Sequence, residues 1–353
     1  MNELSTKHDL WRLAAAVDAG GSIGFGHLRR CVAIAVQAQL LGAQVEFNLC
    51  GIAASGCGLV EVAGFLCRNA PAELLPGTVV LVDRVHSATL RQPNALIADI
   101  SRWRKQKVLV ALIDGAGEDA LRRQRAGLEA HLLIAPYAGE RAEEYGRARV
   151  LAGPEFAPLA AEYEDREAGP TRAQGSRILV TCGGSDPSGI TALIVEGLST
   201  IQSEVLEVRV VLGPGFEAAY CARLTEMGRN SAHTFEWVGT PTSLASHMHW
   251  CDVAVATSGL TKYELAAAGT PAILISPDDI HARANVPFTK LGTAADLGSI
   301  QRATPAKVAS AVRDLLNNAE RRAAMARAGQ VAIDGHGASR IAKALRELAY
   351  AEV

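Results

Sequence analysis

The apolar positions of this 353-residue chain follow two alternating patterns. Leu13-Ala14-Ala15-Ala16-Val17 is apolar at every position, as a strand covered on both faces must be. From Leu28 the spacing becomes helical: Leu28, Cys31, Val32, Ala35, Ala38 and Leu41 recur on one face, and Gly42 closes the run. A strand, a glycine-bearing turn and a helix are predicted, and the alternation continues almost throughout. Further strands are predicted at Val45–Leu49, Thr78–Val82, Val108–Ile113 and His131–Ala135. Residues 161–176, AEYEDREAGPTRAQGS, are polar and Gly/Pro-marked and read as a linker. A second series follows at Arg177–Cys182, Glu207–Leu212, His233–Val238, Val253–Ala256 and Ala272–Ser276. A last helix is predicted at Ser339–Tyr350, with Ser339 as its cap after a Gly335-His336-Gly337 turn. The expected fold is α/β, with two similar parallel-sheet domains at 1–160 and 177–353 facing across a cleft, the last helix free to pack back on the first. A chain this long exceeds the size at which one core stops growing.

Hydrophobic residues make up 49% of the chain and charged ones 20%, which excludes a disordered protein. A formal net charge of -2 argues against a dedicated nucleic-acid or anionic-membrane surface. No segment approaches the ~18 uninterrupted apolar residues of a membrane span, and MNELSTKHDLWR lacks a signal-peptide core, so a cytoplasmic protein is expected. Cysteines at 31, 50, 57, 67, 182, 221 and 251 are odd in number and lack a CxxC pair, as expected of free thiols in a reducing compartment.

Candidate chemistry lies in the turns. In Ala19–Leu28, AGGSIGFGHL, His27 stands where a helix should begin, and Gly20, Gly21, Gly24 and Gly26 let backbone amides approach an anion. A tight turn with a packed or capping His27 is the competing reading. RILVTCGGSDPSGITALIVEGL repeats the design around Gly183, Gly184 and Ser185. In Val253–Ser276 a buried strand ends at Ser258-Gly259 and a helix begins near Thr261. Amides of Gly259, Leu260 and Thr261 can hold a diphosphate, and Glu264 can take ribose hydroxyls. The competing reading makes Ser258 a cap and Glu264 a complement to the helix dipole. His247 and His249, two residues apart, diverge on a helix and are expected to lie at the surface. Asp278-Asp279 reads as a cap, and Arg102–Lys105 and Arg321-Arg322 as solvated faces. No Walker loop or GxSxG elbow occurs, and neither metal nor cofactor is expected.

Taken in order, five pieces resemble the nucleotide-diphosphosugar proteins of the glycosyltransferase-B fold, and within them the UDP-sugar hydrolase of the pseudaminic acid pathway and its spore-coat polysaccharide relatives. They are Gly24–His27 with Arg30-Cys31, Leu151–Phe156, Cys182–Pro187, Ser258–Glu264 with Gly269–Pro271, and Asp334–Ala338. The resemblance implies two Rossmann-like domains and a catalytic His27. It further implies a UDP site at Gly183, Gly184, Ser185, Ser258, Gly259, Leu260, Thr261 and Glu264, and a sugar side with Gly24, Gly26, Asp83 and Asn285. Three departures surround the sugar side: Asp83-Arg84-Val85, Asp114-Gly115 and Val286 after Asn285. The expected activity is metal-independent hydrolysis of the sugar C1–O bond of a UDP-sugar, with His27 orienting or activating water. The alternatives are a glycosyltransferase that uses an acceptor hydroxyl and a non-catalytic nucleotide-sugar-binding protein. The sugar, the pathway and the oligomeric state are not legible in the residues.

Overall fold

The computed structural model describes residues 10–18, 25–50, 54–68, 73–84, 93–113, 130–139 and 149–351. The chain divides into two compact units, Met1–Ala161 with His336–Val353, and Glu162–Gly335.

The first unit is a seven-stranded parallel sheet in the order β3-β2-β1-β4-β5-β6-β7. Its strands are β1 (Trp11–Asp18), β2 (Ala43–Cys50), β3 (Leu66–Arg68), β4 (Val79–Asp83), β5 (Leu109–Ile113), β6 (Leu132–Ala135) and β7 (Arg149–Ala152). Helices α1 (Gly26–Leu40), α2 (Ala54–Val62) and α3 (Pro93–Lys105) follow β1, β2 and β4. The unbroken apolar run of β1 has a direct cause. Leu13, Ala15 and Val17 face a core shared with α1, whereas Ala14 and Ala16 face the opposite core, built with Leu96, Ile100 and Trp103 of α3.

The second unit is a six-stranded parallel sheet in the order β10-β9-β8-β11-β12-β13. Its strands are β8 (Arg177–Thr181), β9 (Glu207–Val211), β10 (Thr234–Val238), β11 (Val253–Thr257), β12 (Ala272–Ser276) and β13 (Ala294–Ser299). Helices α4 (Ile190–Ser199), α5 (Ala218–Arg229), α6 (Ala245–Trp250), α7 (Thr261–Ala267), α8 (Asp279–Arg283), α9 (Val286–Lys290), α10 (Pro305–Leu316) and α11 (Ala319–Ala332) accompany them. The final helix, α12 (Gly337–Ala351), belongs to the first unit, where Ile341, Leu345 and Leu348 enter the core with α1.

Residues 162–176 are bound into the second unit rather than forming a free tether. Arg166 donates to the Ala245 carbonyl at 3.0 Å, and Arg172 pairs with buried Asp252 at 2.9 Å. Polar composition here reflects bonding to the unit's own backbone and charges. Arg322 also departs from expectation: it is only 2% exposed. It donates to the carbonyls of Leu315 and Leu316 at the end of α10 and to that of Arg172. These carbonyls lie at the negative end of the α10 dipole, which explains why a guanidinium is buried there. In the run Arg102–Lys105, Arg102 and Lys105 are exposed, but Trp103 is buried and Arg104 partly so. Ser339 lies inside the first turn of α12 instead of capping it, because the helix begins at Gly337.

Candidate functional site

In each sheet the strand order reverses beside the first strand, between β1 and β4 and between β8 and β11. Such switch points open a crevice at the carboxyl ends of parallel strands. Among the described residues, His27 and Asp83 lie at the first of these places and Gly183–Ser185 and Ser258–Thr261 at the second.

In the first unit, β1 leads to α1 and β4 ends at Asp83. His27, in the first turn of α1, has its side chain 20% exposed, and its Nδ1 lies 2.7 Å from Asp83 Oδ1. Asp83 accepts only, so this contact is a hydrogen bond donated by Nδ1–H, and Arg30 Nη2, 3.0 Å from the same nitrogen, directs its own proton to Asp83 Oδ1. Arg30, one turn further along α1, donates through Nε and Nη2 to the two Asp83 oxygens, at 2.5 Å each. Its Nη1 donates to Tyr137 Oη at 2.7 Å. Burial alone would raise the Asp83 pKa, but Arg30 and His27 outweigh it and hold the carboxyl well below its ordinary value. Burial likewise opposes the Arg30 charge, which Asp83 restores, leaving its pKa well above the usual one. Asp83 is therefore ionised at neutral pH and wholly buried. Expected on the sugar side, it is hydrogen-bonded to His27 and Arg30. Arg84 lies beside it, held by Asp18 at 3.3 Å and Asp99 at 2.7 Å. Gly26 opens α1, with open space where a Cβ would stand. Gly24, Val85 and Asp114-Gly115 lie outside the described residues.

In the second unit, the loops after β8 and β11 start from paired neighbouring strands. Gly183 adopts φ +82°, a left-handed conformation that suits glycine. Gly213 packs so closely that a Cβ would lie 2.5 Å from the carbonyl oxygens of Gly183 and Gly184. Gly215 N donates to Gly184 O at 2.7 Å. This second glycine loop was not singled out from the sequence; the Gly-Pro-Gly after β9 was its signal. The start of α4 already holds an internal anion. Asp186 accepts from Ile190 N at 2.9 Å, Thr191 N at 2.7 Å and Tyr220 Oη at 2.8 Å. A ligand at Gly183, Gly184 and Ser185 would thus meet the loop, since the amides of Ile190 and Thr191 are engaged.

After β11 the chain turns through Ser258, Gly259 and Leu260 into α7, which starts at Thr261 as expected. Glu264 sits in the first turn of this helix, largely buried. Gly269, at φ +62°, ends the segment before Pro271 and β12. A polar network that sequence reasoning missed lies beneath this loop. Lys262, only 6% exposed, donates from Nζ to Ala284 O at 2.9 Å and Asn285 Oδ1 at 3.2 Å. Burial lowers its pKa to about 8, with Asp296 pulling in the opposite direction. Asn285 Nδ2 donates to Ser276 Oγ at 3.0 Å and to Asp296 Oδ1 at 3.1 Å, and Ser276 Oγ lies 2.9 Å from Ser258 Oγ. Asn285, expected beside the sugar, is completely buried and committed to these partners. Asp278 caps α8 through His281 N at 2.8 Å, as its sequence suggested. His247 is partly buried, with its Nδ1 enclosed by protein, so it is not a plain surface residue. No group of three or more potential metal ligands occurs among the described residues.

Comparison with known proteins accords with this geometry. Residues 177–345 match the profile of the glycosyltransferase family 28 C-terminal domain. Among solved structures, MurG of Acinetobacter baumannii superposes with a TM-score of 0.63 at 16% identity, covering 96% of this chain and 99% of that one. The chain has the glycosyltransferase-B fold. A putative UDP-N-acetylglucosamine 2-epimerase from Listeria monocytogenes gives a TM-score of 0.65 at 12% identity, covering 98% of both chains. MnaA of S. aureus, solved with UDP, gives 0.61 at 12% identity and covers 96% of both. No curated protein matches this glycosyltransferase-B chain in sequence.

Proposed function

We propose that this protein transfers a glycosyl group from a UDP-sugar to an acceptor hydroxyl. The observation that carries the reading is the family match. It spans both the Gly183–Ser185 and the Ser258–Glu264 loops and is to a glycosyltransferase domain. Two proteins of the same fold, S. aureus MnaA and Anabaena HepE, were solved with UDP and with UDP-glucose, which supports uridine as the base.

In this reading Ser258, Gly259, Leu260 and Thr261 hold the diphosphate and Glu264 the ribose hydroxyls, with Gly183, Gly184 and Ser185 on the nucleotide's other side. Gly24 and Gly26 leave room for the sugar. UDP departs as an anion, and the hydrogen-bond donors around it take up the charge that develops. His27 Nε2 removes the proton of the attacking hydroxyl while Asp83 keeps the ring oriented.

Hydrolysis of the same donor, the activity expected from the sequence resemblance, differs only in using water as nucleophile. The family match is to transferases and favours the acceptor hydroxyl. The test is UDP release from a panel of UDP-sugars with and without candidate acceptors. Release only with an acceptor is expected. Prompt release without one would make the protein a hydrolase, and binding without release would leave a nucleotide-sugar-binding protein.

A further inference from the structure

The polar network beneath Ser258 has a direction. An ammonium only donates, so the group that Lys262 Nζ meets at 3.2 Å must be the amide oxygen of Asn285. The Asn285 amide nitrogen then points at Asp296 Oδ1, 3.1 Å away, and at Ser276 Oγ, 3.0 Å away. Each can accept, and Asp296 fixes the same orientation from the other side. Ser276 Oγ accepts from Asn285, so its single proton goes to Ser258 Oγ at 2.9 Å. Ser258 Oγ, now an acceptor in that bond, keeps its own proton for a partner outside the network. Chains of this kind also polarise along their length, each bond strengthening the next.

We infer that Lys262 is a positioning residue that, through Asn285 and Ser276, sets the Ser258 hydroxyl as a hydrogen-bond donor toward a phosphate oxygen of the bound nucleotide. The inference rests on the nucleotide reading of this loop. It explains why an ammonium is buried here with neutral partners in direct contact: the desolvation it suffers is offset by the order it imposes along Asn285, Ser276 and Ser258. Lys262 also packs with Nζ 4.9 Å from the centre of the Phe288 ring, an attraction that adds to its retention inside. Serine at 258 could otherwise accept as readily as donate, and an accepting hydroxyl would repel a diphosphate.

The test is calorimetric titration of the full chain with UDP and, separately, with uridine. Lys262→Met keeps the stem and removes the donor. It is expected to weaken UDP about tenfold or more, the scale of a hydrogen bond to a charged group, while uridine affinity stays unchanged. Lys262→Arg should restore part of the loss. In a Ser258→Ala background Lys262→Met should cost nothing further, because the two act through one hydroxyl. Ser276→Ala leaves the ammonium and its amide partner in place, and it should reproduce the UDP-selective loss even if Lys262→Met does not fold. Equal losses for UDP and uridine, additive losses in the double variant, or unchanged UDP affinity would each overturn the role of Lys262. Failure of the unaltered protein to bind UDP at all would instead overturn the nucleotide reading on which the inference rests.

Discussion

At the scale of the residue, the proposed transfer turns on one imidazole and what holds it. In the proposed transfer His27 is the base, and Asp83, ionised and buried, accepts the hydrogen bond from its Nδ1 at 2.7 Å and so holds the ring in place. His27→Asn should lower turnover by roughly 10²–10⁴-fold, the usual worth of a general base, with UDP affinity unchanged by calorimetry. Asp83→Asn should do more than misorient the ring, since it strips the Arg30 guanidinium of its charge partner. Breaking a buried pair in this way costs about 3–5 kcal/mol, measurable by urea unfolding. The pH dependence has a definite sign. The Asp83 pKa is depressed by Arg30 and His27, so its stabilisation is complete above the unfolded carboxylate value of ~3.9 and disappears as pH falls through the lower native value. The stability gap between native protein and Asp83→Asn should stay constant from about pH 5 to 8 and narrow below about pH 4.

At the scale of the element, the proposed nucleotide contacts of the second unit come from short loops, and packing sets their limits. Glu264→Ala should weaken UDP binding by about 1.5–3 kcal/mol without disturbing the fold, the cost of a charge-assisted hydrogen-bond pair to ribose. Unchanged binding would remove Glu264 from the site. Gly337→Ala tests the packing of α12, because its new Cβ would collide with the backbone of Ala157. A loss of about 1–3 kcal/mol is expected, with the last helix exchanging its amide hydrogens faster than the sheet. Two of the pieces that carry the resemblance, Leu151–Phe156 and Gly337-Ala338, meet here, where the turn at Pro154–Phe156 lies against the start of α12 and Arg340 donates to Glu155 O at 2.8 Å. The strands that went unpredicted share a position. β3 and β7 are the edges of the first sheet and β13 is an edge of the second. Edge strands bury less, so β13 carries Asp296 and Gly298 where its neighbour β12 carries isoleucine and leucine.

At the scale of the whole molecule, the proposed transferase assigns anion binding to amides and hydroxyls, so EDTA should leave turnover unaffected. Loss on chelation, restored by magnesium or manganese, would contradict that arrangement. The sequence by itself determined the α/β class, the central strands, the glycine turns that follow them and the start of α7 at Thr261, because these depend on local spacing, on two-sided burial and on backbone conformations that glycine favours. His27 was legible for the same reason, as a polar residue at the start of a helix after a glycine turn. Only the tertiary structure decided the rest. Asp83 and Asn285 look like ligand residues in the sequence, and the side chains that hold them lie 9 to 56 positions away in the chain. Arg322 looks like a solvated charge, yet it is buried on carbonyl oxygens, and Lys262, which sequence reasoning missed, is buried on another. The order of the strands, which brings the loops after β8 and β11 side by side, also lay beyond the sequence. Local spacing records which face of an element is apolar, whereas the partner of a buried charge and the neighbour of a strand are set by contacts between distant segments, which a single sequence does not record.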